Sequence, residues 1–192
     1  MIKKIFLLSL LAAPALYGQV ASSAKGGNST VWVGGQVSSF NPDYGNEDIA
    51  GVGVFADYNI TPKLGIEGQL RWLHWHNAND GQETQDDYLG GVKYRLLRWN
   101  RFSLNGKFLL GGVWITYPYF TDTKISMGSG SYFAYAPGGD VEYRASKRWA
   151  VRAGYQYQIL PSAPGTAFGG NSNGLTPHGF DVGVSYRVLG VR

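Results

Sequence analysis

The chain contains no cysteine. This excludes a disulfide framework, a thiolate metal centre, a cysteine nucleophile and a lipoprotein anchor. Charge is also sparse, at 16% of 192 residues, and no basic block occurs. Residues 1–18 read as a removable leader. Taking away Lys3 and Lys4 with it leaves 15 basic and 13 acidic residues, a net of +2. That balance argues against a nucleic-acid partner. No apolar run approaches the roughly 20 residues of a membrane-spanning helix. What the chain has instead is 28 Gly, 13 Tyr and 6 Trp, a mix that suits turn-rich β structure.

The leader combines Lys3 and Lys4, a short apolar run from Ile5 to Leu16 and small residues beyond it. This is the layout of a secretory signal, with cleavage near Gly18 or Ala24. Residues 19–29 are expected to form a flexible N-terminal segment, and 30–192 the folded domain.

Residues 50–73 set the pattern. Ala50, Val52, Val54, Ala56 and Tyr58 alternate with Gly51, Gly53, Phe55 and Asp57. After Ile60-Thr61-Pro62-Lys63, Leu64, Ile66, Gly68, Leu70 and Trp72 alternate with Glu67, Gln69 and Arg71. A period of two means strands with unlike faces. Each runs about ten residues, the length of a tilted strand crossing a bilayer. The same alternation predicts strands near 30–40, 87–96, 101–116, 131–144, 148–159 and 178–188. Pro137-Gly138-Gly139 predicts a bulge or bend midway along its strand.

The connections alternate in length. Short ones are expected near 60–63, 97–100 and 144–147. Long ones are expected at 41–48, 76–86, 117–130 and 160–177. Eight strands in this rhythm predict an all-β fold, an eight-stranded antiparallel up-and-down transmembrane β-barrel, with short turns on the periplasmic side. Tyr58, Tyr94, Phe102, Tyr143, Trp149 and Tyr186 lie beside the short turns on the apolar face. Trp72, Tyr88, Trp114, Phe133, Tyr157 and Phe180 lie at its other end. Two aromatic belts flanking an apolar band match a membrane's two interfaces.

The opposite face carries Asp57, Glu67, Asp140, Glu142 and Asp181 against Arg71, Lys93, Arg95, Lys107, Arg152 and Arg187. Buried charges must be paired. Signs so nearly matched predict a lumen ion-pair network and a polar plug without a wide pore. A soluble barrel would put the apolar face inside. Long strands, aromatics at both ends and many charges of both signs favour the membrane orientation.

The chain resembles the outer-membrane β-barrel family of opacity-type, small porin-like and OmpA-membrane-domain-like proteins. The residues carrying the likeness are Gly51-Val52-Gly53 through Tyr58, Thr61-Pro62, Leu64-Gly65-Ile66-Glu67 and the last strand from Gly179 to Val188. The resemblance covers about 30–188. It implies an outer-membrane location among lipid and lipopolysaccharide, periplasmic chaperones on the way and assembly by the barrel-insertion machinery. The chain departs from the family in ending Leu189-Gly190-Val191-Arg192 rather than on an aromatic, and no cell-wall tether is expected.

Three chemistries are conceivable on such a scaffold. Lipid A deacylases of this shape use a Ser–His pair. Ser172 with His178 resembles theirs faintly, but Gly170 stands where their His would be. His74, His76 and His178 share a rim without a carboxylate at ligand spacing, so no metal or other cofactor is expected. The lumen charges invite a narrow porin-like channel for small solutes. The expected role is non-enzymatic: a rigid scaffold displaying surface loops for adhesion or recognition. Tyr117, Tyr119, Phe120 and Phe168 are the candidate contact residues.

Overall fold

A computed structural model describes residues 29–43, 48–77, 81–121, 124–163 and 174–190. They form a closed eight-stranded barrel. The strands are β1 (Thr30–Asn41), β2 (Ile49–Asn59), β3 (Leu64–Asn77), β4 (Gly81–Trp99), β5 (Phe102–Thr121), β6 (Lys124–Arg144), β7 (Trp149–Tyr157) and β8 (His178–Gly190). Every neighbour pair is antiparallel, and β1 closes on β8. The leader, its cleavage points and residues 19–28 lie outside the described residues, as do Phe168 and Ser172.

The alternation becomes two faces. Val151 and Val184 are 40% and 46% exposed on the outside, whereas Arg152 beside Val151 is 2% exposed on the inside. Both short turns built on a hydroxyl close in the same way. Thr61 Oγ1 accepts from the Leu64 amide at 2.9 Å, and Ser146 Oγ from the Trp149 amide at 3.1 Å. Such bonds replace a backbone rung where the chain reverses.

The barrel differs from the expected layout at its rim. The supposed loop 76–86 is largely ladder, because β3 and β4 stay paired out to Asn77 and Gly81. The same holds for 117–130, where β5 and β6 pair to Thr121 and Lys124. Outside the bilayer a strand needs no apolar outer face, so 76–86 is polar on both sides, 117–130 mixes aromatic and polar residues without a period of two, and both lose the sequence signal. The short turn expected at 97–100 falls at Asn100-Arg101, since Leu97, Arg98 and Trp99 still pair with β5. The register shift that carries them there lies between Arg95 and Leu97.

No bulge forms at Pro137, which stays in register opposite Phe108. Its missing amide interrupts the other side. The continuous β6–β7 ladder stops at Gly138, and a bridge between Tyr135 and Ile159 resumes it in the same register. Proline removes one rung without shifting the strand.

The lumen is also less uniformly polar than expected. Leu89, Leu109, Val113, Ile115, Ala134 and Ala136 form an apolar cluster inside its outer half. Leu160, Ala163 and Leu175, from the two ends of the 160–177 connection, complete it. A Leu160–Leu175 bridge holds those ends together. Asp43 ties them down by accepting from the Thr176 amide and hydroxyl, both at 2.8 Å.

Candidate functional site

The lumen is the most constrained part of the molecule, and each strand delivers a polar side chain to it. Strand parity places Gln36, Asp57, Glu67, Lys93, Lys107, Asp140, Arg152 and Asp181 on the inner face of β1 through β8 in turn, all buried. Glu67 is the hub. Its carboxylate lies 3.1 Å from Arg152 Nη1 and 3.4 Å from both Lys93 Nζ and Lys107 Nζ. Lys93 also reaches Asp57 at 3.2 Å and Asp140 at 3.3 Å. Arg152 Nη2 donates to Gln36 Oε1 at 2.6 Å, and Asn105 Nδ2 to Asp140 Oδ1 at 2.8 Å. Asp181 sits 3.9 Å from both Lys107 and Arg152.

Two features let this network form. Arg152 stacks over the Phe55 ring, 3.2 Å from its centroid, so its flat face meets an aromatic surface while its edge makes ion pairs. Gly34 makes room for that ring, since any β-carbon there would overlap Phe55 and the Val184 carbonyl. A lumen-facing aromatic on the polar side of a strand is thus part of the charge site.

A second layer lies nearer the outer end. Arg71 pairs with Asp87 at 2.5 Å and lies over Phe40 at 3.9 Å. It also donates to Gln156. Gln85 and Gln158 both donate to Asp87 at 2.9 Å. The expected network leaves out Asp87, Gln85, Gln156 and Gln158, although the alternation of 148–159 puts the last two on the polar face with Arg152. Carrying the parity of Leu89 back through Asp87 and Gln85 would have found two of them.

The remaining expected lumen charges lie apart from this network, at the short-turn mouth. Arg95 Nη1 donates to the Pro62 carbonyl at 2.5 Å. Glu142 pairs with Arg144 on its own strand at 3.3 Å. Arg187 flanks the buried Trp32 ring at 5.9 Å.

The twelve belt aromatics all fall on the outer face, most of them exposed and Trp72, Tyr143 and Tyr186 half-buried. Phe102 and Tyr143 touch at 4.8 Å between ring centroids, Trp149 and Tyr186 at 5.1 Å. At the other belt Tyr157 stacks on His178 at 5.8 Å.

The described histidine side chains, His74 and His178, do not come together. His74 is 3.9 Å from Asp86, and β1 and β2 separate it from His178. His178 Nδ1 lies 3.1 Å from the Thr176 carbonyl, to which a protonated Nδ1 donates. Nothing is described for the His76, Tyr119 and Phe120 side chains. Tyr117 packs against the apolar lumen cluster.

Comparison with known proteins agrees with the geometry. Residues 6–187 match the model of the outer membrane protein beta-barrel domain. Comparison with curated proteins yields no match. Among solved structures, the attachment invasion locus protein Ail of Yersinia pestis is 17% identical with a TM-score of 0.57. That likeness covers 84% of this chain and 98% of Ail. Neisserial surface protein A is 13% identical with a TM-score of 0.60, covering 83% and 96%. OprG of Pseudomonas aeruginosa is 14% identical with a TM-score of 0.51, covering 84% and 96%. At these identities the likeness is one of fold.

Proposed function

The chain belongs to the outer membrane protein beta-barrel domain family, and from that premise we propose that it is a non-enzymatic display scaffold of the outer membrane. The leader 1–18 directs export and is removed near Gly18 or Ala24. Chaperones and the insertion machinery deliver the barrel to lipid and lipopolysaccharide. The lumen network then locks it into a rigid support for its outer rim.

One observation carries this reading: β5 and β6 outrun the membrane. From the belt residue Trp114 the ladder continues to Thr121, and from Phe133 it runs back to Lys124. At roughly 3.3 Å per residue the hairpin rises about 20 Å along the strand past the belt. Among the described residues, β6 has no partner on its β7 side over 124–134. A backbone edge with no described partner, standing past the belt, suits recognition of an extended segment of another protein. The similarly folded attachment invasion locus protein carries attachment in its own name, which is in keeping with a display role here.

Shortening the hairpin by joining Tyr117 to Gly128 tests this. The barrel should still insert and migrate heat-modifiably on gels, while binding of cells carrying it to host-cell or matrix surfaces falls severalfold. Unchanged binding by the shortened, correctly folded protein contradicts the assignment.

A further inference from the structure

The short-turn mouth has a charge balance unlike the lumen above it. Arg95, Arg98, Arg144 and Arg187 line one cavity of about 280 Å³, together with Thr30 and Asn59. Among the described residues no carboxylate lines it. An adjoining cavity of about 300 Å³ shares Arg144 and Arg187 and adds Trp32 and Lys147. The acid paired with this group is Glu142, bound to Arg144. Among the described residues, four guanidinium groups against one carboxylate leave three positive charges. In the network above, three cations (Lys93, Lys107 and Arg152) meet four carboxylates (Asp57, Glu67, Asp140 and Asp181). Even that extra negative charge leaves the mouth at +2.

Crowding like charges in a partly enclosed cavity is unfavourable unless an anion joins them. Three of the four guanidinium groups are also oriented by neighbours. Arg95 is pinned to the Pro62 carbonyl, and Arg144 and Arg187 flank the Trp32 ring at 5.8 and 5.9 Å. Fixed forks of this kind bind phosphate oxygens two at a time. Arg95, Arg144 and Arg187 continue the lumen-facing sets of β4, β6 and β8, so the cavity opens along the barrel axis rather than toward lipid. Short turns mark this end as periplasmic.

We propose that the periplasmic mouth is a binding site for a small, water-borne phosphate anion carrying at least two negative charges, such as a diphosphate or phosphomonoester group. Arg98 and Arg187 are its direct phosphate contacts. Arg95 shapes the turn that bounds it.

Titration of the folded, full-length protein with pyrophosphate in a phosphatidylcholine bilayer disc tests the site by calorimetry. Saturable one-to-one binding is expected. R98Q and R187Q should each weaken it about tenfold, the usual weight of a charge-assisted hydrogen bond. Arg98 is exposed, so R98Q keeps the test sound if R187Q folds poorly. K124Q, at the opposite end of the barrel, should change nothing. No saturable binding, or equal binding by R98Q, overturns the proposal. Loss of pyrophosphate binding in discs of phosphatidylglycerol would give the site to a lipid headgroup and overturn the water-borne source. Tighter binding of a glutamate-rich peptide than of pyrophosphate would overturn the ligand class.

Discussion

Replacing Arg152 with methionine should cost about 3–5 kcal/mol of barrel stability, the range for stripping one partner from a buried ion network. The charge count makes the comparison sharper. Three cations face four carboxylates in the central layer. R152M lowers this to two against four and also removes the stacking on Phe55 and the bond to Gln36. E67Q breaks as many ion pairs, three, and closer ones, at 3.1–3.4 Å against one at 3.1 Å and two at 3.9 Å for Arg152, yet leaves three against three. R152M should therefore be the more damaging change, although Glu67 is the hub. Urea unfolding in micelles, followed by heat-modifiable gel mobility, measures both. Adding D181N to R152M should recover part of the loss, because the two sites share a contact at 3.9 Å. If E67Q is the worse variant, individual contacts rather than net balance govern the lumen.

The second large effect is steric. Gly91 faces the lumen on β4, where a β-carbon would overlap the Phe108 carbonyl and sit 2.8 Å from the Leu109 Cα. Both atoms are backbone of the neighbouring strand, so no side-chain rotation relieves the clash. G91A should cost about 3 kcal/mol, at the upper end for overpacking, and G91V should prevent closure. Gly68 is the matched control. It faces outward with nothing within 4 Å of its β-carbon position, so G68A should lie within about 0.5 kcal/mol of the parent. Equal effects at the two glycines would contradict the close approach of β4 and β5.

What was legible in the sequence, and what was not, follows from where each residue sits. Within the bilayer, lipid requires an apolar outer face, so the alternation in 50–73 and 148–157 gave strands, faces and belts directly. Past the belt that requirement ends. Glu83, Thr84, Gln85 and Asp86 are all polar, and their strand was read as a loop. Inside, the signal fails for another reason. Leu89 and Leu109 are apolar on the lumen side of strands that are also apolar outside, so the inner cluster left no contrast to detect. Trp32, Phe40 and Phe55 were hidden likewise, since aromatic character alone does not say whether a ring meets lipid or an arginine. The charged residues were picked out by type and parity. Their division into a central network and a mouth depends on height along the barrel, which register fixes and composition does not.

The central claim is that the apolar face of this cylinder meets hydrocarbon while its ionised groups meet one another. The absence of cysteine makes single-site labelling unambiguous. Spin labels at Val151 and Val184, read in lipid bilayers, should be strongly relaxed by oxygen dissolved in the membrane and barely by a water-soluble nickel chelate. A label at Lys63, on a short turn, should show the reverse. Labels at Val151 and Val184 that respond to the chelate, or to neither reagent as in a dry interior, would contradict the account.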